Sequence, residues 1–272
     1  MGEKRSWVLL VLDSCRYDAM IAAAPRHLNA LGTVHRRYSY ASWTAPAHYH
    51  LLMGLLPHPA TRETHAAEIY RENYHLFNER LGIDLGMSDL VPDLWLPSLL
   101  QRRGWATGAW VSMPVLHPST PLSRGFDTYR LRNNHADLQG IIEDLRFYDD
   151  RPTFWLINAG ETHYPYAFPG QSAPPVPHLS GVHGALRRID EHPAPELWFT
   201  GEQLADLKER QVEAVRYVDS LIPLLRALVP KNTWLTVTAD HGECFGEDGF
   251  FGHGPVLHPK VWEVPLVEGL LK

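Results

Sequence analysis

Three segments far apart in the chain bring residues able to ligate a metal or act as a nucleophile to the ends of regular elements. The first is Asp13, which closes the apolar run WVLLVLD. The second is Thr44, followed by Pro46, His48, Leu51 and Gly54. The third is Asp240-His241-Gly242-Glu243, with Gly252-His253-Gly254 after it. Each has an ordinary reading beside the chemical one. Asp13 could cap the next helix, and Thr44 could be a plain N-cap, a task threonine performs well. His163, inside ETHYPY, could be a hydrogen-bonded loop histidine. His253 is harder to explain by packing, which gives glycines little reason to flank a histidine on both sides. His48 lies one turn beyond Thr44, so it either takes a direct part or packs under the site. Trp43, beside Thr44, is placed in the substrate pocket, and His258 or Lys260 could reach a substrate from behind the Gly-His-Gly block.

The elements around these residues follow from hydrophobic pattern. Residues 7–13 form a continuous apolar run ending in an acid, a buried central strand with Asp13 at its carboxyl edge. A helix is predicted over 17–24, stopped by Pro25. Pro46 suits the first turn of a helix, where its missing N–H costs nothing, so Thr44 falls at that helix's start. A helix over 96–103 ends at Gly104 and leads into a strand over 105–112; another strand is predicted over 153–158. Apolar residues at Leu204, Leu207, Val212, Val215, Val218, Leu221, Ile222 and Leu225 predict a long amphipathic helix over 202–228, bent at Pro223. A strand over 233–238 precedes Asp240. Residues 170–195, rich in Pro, Gly, Ser and His, read as a lid or loop insertion in a single domain spanning 1–272. Strands alternating with helices predict an α/β fold with a mostly parallel, doubly wound sheet, and in such sheets ligands bind beyond the carboxyl ends of the strands. Asp13, the 160–163 loop and Asp240-His241 all fall there.

Composition narrows the partners. A formal net charge of −6 argues against a binder of duplex nucleic acid. A small anionic substrate stays compatible, because a bound cation reverses the local field. The two cysteines, Cys15 and Cys244, make no disulfide framework and point to a reducing cytoplasm. They lie two residues after Asp13 and three after His241, and read as small buried residues beside the site rather than a redox pair. No apolar run is long enough to span a bilayer.

Here the sequence resembles the alkaline phosphatase superfamily, in particular its sulfatase-like and nucleotide pyrophosphatase/phosphodiesterase branches. VLLVLDSCRYDAM is similar to the family's first strand with its metal aspartate, and TAPAHYHLLMGLLP to the nucleophile helix of the phosphodiesterase branch. LPSLLQRRGWATGAWVS, RGFDTYR and TADHGECFGEDGFFGHGP resemble further family segments, in the family's order. The resemblance implies an alkaline-phosphatase-like fold with helices on both faces of the sheet. It further implies that Asp13, Asp240, His241 and the Thr44 oxygen bind a divalent metal. Oxygen-rich coordination with one imidazole suits Zn²⁺ or Mn²⁺. Such an ion lowers the pKa of the Thr44 hydroxyl, which would attack a phosphate-type ester and form a phosphothreonine. His163 and His253 match family histidines that bind a second metal or contact the phosphoryl group. Glu161 is the nearest acid to complete a second site, so one or two ions are expected.

The chain departs from sulfatases at the nucleophile. They use a Cys or Ser converted to formylglycine in a Cys-x-Pro-x-Arg context, whereas Thr44-Ala45-Pro46-Ala47-His48 stands here. Threonine is no formylglycine precursor, and His48 replaces the activating arginine. The expectation is therefore a metal-dependent hydrolase or transferase of phosphomonoesters, phosphodiesters or phosphonates. The rival readings are a metal- or phosphate-binding protein without turnover and a scaffold recruited to other metal-dependent tailoring chemistry. Substrate choice would lie in the 61–89 and 170–195 loops.

Overall fold

The computed structural model describes residues 5–59, 79–83, 94–171, 199–254, 256 and 258–272. Most of the 61–89 segment and all of the expected lid past residue 171 lie outside them.

Alternation within one strand organises the core. In β1 (Trp7–Leu12) all six side chains are buried. Successive residues of a strand point to opposite faces. Val8, Leu10 and Leu12 accordingly join one apolar cluster, while Trp7, Leu9 and Val11 join another. The first cluster is completed by α1 (Tyr17–Ala23), α2 (Arg26–Leu31), α5 (Leu138–Glu143) and the long α6 (Gly201–Leu228). The second is completed by α3 (Thr44–Leu52) and α4 (Leu96–Arg102). The sheet is thus covered on both sides, as the continuous apolar strands require.

The remaining strands are β2 (His35–Tyr38), β3 (Ala106–Val111), β4 (Thr128–Leu131), β5 (Thr153–Ala159), β6 (Thr233–Thr238) and β9 (Glu263–Leu271). With β1 they form a seven-stranded sheet in the order β2-β9-β6-β1-β5-β3-β4. From β6 to β4 every pairing is parallel, while β9 runs antiparallel to both β6 and β2. The α/β, mostly parallel expectation therefore holds. A hairpin of β7 (Cys244–Phe245) and β8 (Phe251–Gly252) and a short α7 (Pro259–Trp262) complete the described elements.

Helix α6 starts on a capping box: Gln203 N donates to Thr200 Oγ1, and Thr200 N donates to Gln203 Oε1. It runs through Pro223 as one helix. Asp219, on its buried side, accepts from the N–H groups of His27 and Leu28 and so holds the start of α2. The strand β9 was not expected, because Pro265 and Gly269 interrupt its pattern. Both have local reasons. The Pro265 carbonyl accepts from Thr238 Oγ1, and a Cβ at Gly269 would lie 2.5 Å from the Leu31 carbonyl oxygen at the end of α2.

Gly108 in β3 serves a comparable close approach, since a Cβ there would sit 2.2 Å from the Trp155 ring. Gly108→Ala should therefore overpack this face and destabilise the protein by about 1–3 kcal/mol. Urea unfolding reads this directly; a variant as stable as the parent would contradict the packing argument.

Candidate metal centre

The site lies where three parallel strands end. Asp13 follows β1, Gly160–His163 follow β5, and Asp240-His241 follow β6, while Thr44 is the first residue of α3. All the titratable groups here are buried. Asp13, Asp240 and His241 each offer a ligand atom, and these atoms lie within 4.8 Å of one another. His241 Nε2 sits 3.4 Å from Asp240 Oδ2, 3.9 Å from Asp13 Oδ1 and 3.2 Å from Thr44 Oγ1.

The tautomer follows from the backbone. His241 Nδ1 is 2.9 Å from the Gly242 carbonyl, so that nitrogen carries the proton and Nε2 presents its lone pair to the carboxylates. Burial, then the neighbouring His253, holds the imidazole well below the ordinary histidine range, which keeps it neutral. His253 is pushed down to about 3 by burial and by His163. A lone pair facing two carboxylates repels them unless a cation stands between or a carboxyl keeps its proton.

The carboxylates are otherwise well held. Asp13 accepts from Asn158 Nδ2 at 2.9 Å and from Ser14 Oγ at 3.2 Å. Asp240 Oδ1 accepts from the N–H groups of Ser14 and His241. Its Oδ2 accepts no hydrogen bond, although a buried acceptor of that kind is rarely left without a partner. Burial, with Asp13 adjacent, pushes the Asp240 carboxyl well above the usual range. Two acids, one of them with an orphaned oxygen, and a neutral imidazole are together a donor set that fits a divalent cation.

Thr44 brings its hydroxyl to this cluster and donates to His241 Nε2. As the first residue of a nine-residue helix, it places the unspent N–H groups of the helix start alongside. Pro46 wastes no donor there. His48 Nδ1 holds the Thr44 carbonyl at 2.8 Å and stands 3.7 Å from Asp240 Oδ2. It packs buried beneath Thr44.

His163 and His253 join the cluster edge to edge. Their ring centroids are 5.5 Å apart, and His253 is 4.3 Å from His241. Glu161 Oε1 accepts from the Leu138 N–H at 2.6 Å and holds the start of α5, its buried Oε2 has no hydrogen-bond partner among the described residues, and it is not among the three clustered groups. The acid near the histidines is instead Glu243, whose Oε2 lies 3.6 Å from His253 Nδ1. Its Oε1 accepts from Tyr166 and Gln211. Lys260 pairs with Asp18 at 2.9 Å, and Asp18 in turn binds the buried Arg16. His258 Nδ1 caps α7 through the Lys260 N–H, with Asp248 on its other nitrogen. Both side chains thus have protein partners in this structure. Trp43 is 45% exposed at the N-cap of α3. Both thiols are buried and free, and burial raises both above the ordinary thiol range, which suits inert packing.

Asn158 and Gln211 escaped the sequence reading, and Glu243 was named in its motif without a role. The signal for all three is polarity at core positions: an amide closing an apolar strand, an acid after Asp-His-Gly, and a glutamine within the apolar stripe of α6.

No protein-family profile and no curated protein sequence matches the chain. Solved structures do. The C-terminal periplasmic domain of EcEptC from Escherichia coli, in complex with Zn, is 17% identical; the match covers 99% of this chain and 74% of that one, with a TM-score of 0.55. BT1596, a 2-O GAG sulfatase, is 15% identical over 98% and 64%, with a TM-score of 0.59. The phosphonate monoester hydrolase SpPMH from Silicibacter pomeroyi is 16% identical over 97% and 68%, with a TM-score of 0.56. The chain shares the fold of the alkaline phosphatase superfamily. Among the described residues no helix is long and apolar enough to cross a membrane.

Metal-free stability should carry a pH signature. Burial lifts the carboxyls of Glu161 and Glu243 from 4.5 to about 7 and about 8. The folded chain therefore keeps protons that the unfolded chain releases, and stability falls as pH rises through that window. The depressed imidazoles of His48, His241 and His253 act oppositely, but only below their unfolded value of 6.5. With a chelator present, unfolding free energy should decline from about pH 6.5 to about pH 8.5, and Glu243→Gln should flatten the decline. A slope unchanged in that variant would contradict the assignment.

Proposed function

We propose that the chain is a metal-dependent hydrolase or transferase of phosphate-type esters, acting through Thr44, and a member of the alkaline phosphatase superfamily built as one domain. The observation that carries the reading is the Thr44 hydroxyl, 3.2 Å from His241 Nε2 at a helix start beside two buried acids. Asp13, Asp240, His241 and Thr44 Oγ1 would hold the ion. Zinc or manganese suits these donors, and the zinc-bound E. coli neighbour supports zinc. When bound, such an ion supplies the positive charge that lowers the hydroxyl's pKa and offsets charge on the phosphoryl group.

The chain's own groups do the rest. Thr44 Oγ1 attacks phosphorus while the bond from phosphorus to the ester oxygen breaks, and the leaving alcohol takes up a proton. The Thr44 and Ala45 N–H groups, with the helix dipole, hold non-bridging oxygens. The imidazoles of His163 and His253 contact the phosphoryl oxygens or serve a second ion. Water or an acceptor alcohol then cleaves the phosphothreonine. A small anionic ester is the partner this chemistry takes. Threonine at position 44, with His48 turned to the helix backbone, disfavours formylglycine sulfate-ester chemistry. The free buried thiols favour a reducing compartment, the cytoplasm, although the E. coli neighbour is a periplasmic domain.

Thr44→Ala should lower turnover of aryl phosphate mono- or diesters by about three orders of magnitude or more, as loss of a nucleophile does. Thr44→Ser should keep part of it. Mass spectrometry after brief exposure to substrate should find phosphate on Thr44. Full metal-dependent turnover in Thr44→Ala would refute the mechanism.

A further inference from the structure

Helix α6 passes under the carboxyl edge of the sheet and sends a single amide into the loops there. Gln211 is fully buried in the stripe otherwise formed by Leu204, Leu207, Val215 and Val218. Its Nε2 lies 2.9 Å from the Ser14 carbonyl, 3.1 Å from the Thr162 carbonyl and 3.1 Å from Glu243 Oε1. Its Oε1 accepts from the Arg16 N–H at 3.4 Å. Acceptors around the nitrogen and a donor at the oxygen leave one orientation for the amide. With two hydrogens for three acceptors, one hydrogen is shared.

Those partners belong to three different loops. Ser14 and Arg16 follow Asp13, Thr162 precedes His163, and Glu243 lies two residues after His241. A second observation bears on the same point. Ser14 has φ of 60°, in the left-handed region, which a residue with a Cβ keeps only when its surroundings over-determine it. Its N–H donates to Asp240, its hydroxyl to Asp13, and its carbonyl accepts from Gln211. An apolar residue would fill the same volume in α6 and make none of these bonds.

We propose that Gln211 is a positioning residue: its amide sets the spacing of the Asp13, His163 and Asp240-His241 loops and thereby the affinity of the site for a divalent cation. The inference rests on the metal reading above. It is tested on the full chain with Zn²⁺ alone as the probe, counting only binding that Asp240→Asn removes. Gln211→Met keeps the volume and removes the polar contacts. Zn²⁺ affinity should fall about 10–100-fold, the usual cost of losing a group that orients metal ligands. Hydrogen exchange should rise together in residues 13–16, 160–163 and 240–247 without metal. Gln211→Glu, which keeps an acceptor for Arg16 but offers at most one hydrogen to the three acceptors, should also lose affinity, and it serves where the methionine variant does not fold. Thr200→Val removes the cap at the start of the same helix, about three turns from Gln211; it should lower the melting temperature and leave Zn²⁺ affinity unchanged. Wild-type affinity in either Gln211 variant overturns the proposal, as does an equal loss in Thr200→Val. A wild-type chain without Asp240-dependent Zn²⁺ binding overturns both this inference and the metal reading.

Discussion

Two acids and an imidazole lone pair brought together inside a protein are costly to hold, and the structure around this site is organised to keep them there. Removing a carboxylate from water is costly unless it is paired or hydrogen-bonded. Asp13 and Asp240 recover part of that cost through Asn158, Ser14 and two backbone N–H groups. The part not recovered is Asp240 Oδ2, which faces the lone pair of His241. A packed core has no reason to keep such an arrangement, since apolar residues of similar volume would be at least as stable. A cation resolves the conflict, because each unfavourable pair then becomes a pair of ligands.

The fold delivers the ligands by a simple rule. β1, β5 and β6 are adjacent and parallel, so their carboxyl ends open at one edge and the chain leaves each of them within reach of the others. Loops at such an edge are not rigid by themselves. Here they are joined crosswise: Thr162 Oγ1 to the Asp13 carbonyl, Ser14 N to Asp240, and Arg16 to the Glu243 carbonyl and the Glu247 side chain. Each bond links loops separated by well over a hundred residues, and the ligand geometry is consequently a property of the whole sheet.

This explains which parts were legible in the sequence. The strands β1, β5 and β6 are short apolar runs buried on both faces, and the acid ending β1 and the one just past β6 mark their edge without ambiguity. The helix start at Thr44 is marked by Pro46. Thr44, Asp13, Asp240, His241, His163 and His253 were therefore nameable, and the structure brings them together. The β9 strand was hidden because Pro265 and Gly269 serve neighbours from other parts of the chain. Glu161 shows a related limit. Its nearness to His163 in sequence does not reveal that one of its oxygens holds the helix start at Leu138 while the other is buried without a hydrogen-bond partner among the described residues. Lys260 and His258 illustrate the same limit, since sequence adjacency to Gly-His-Gly does not reveal Asp18 and Asp248 as their partners.

The charge state of the histidines connects the scaffold to the chemistry. His48, His241 and His253 are all depressed, first by burial, so each is a neutral imidazole at physiological pH. Positive charge at this edge of the sheet is consequently not supplied by these imidazoles. Arg16 and Lys260 are taken up by Asp18 and Glu247, away from the clustered ligands. A phosphoryl group arriving at Thr44 would meet two acids and several lone pairs, offset only by the dipole and N–H groups of α3. Helix-start electrostatics amount to roughly 0.3–2 kcal/mol, too little to bring an anion beside two carboxylates. On the proposed reading, the residues that suit a cation would repel an anionic ester until that cation was in place, so the ion would bind before the substrate.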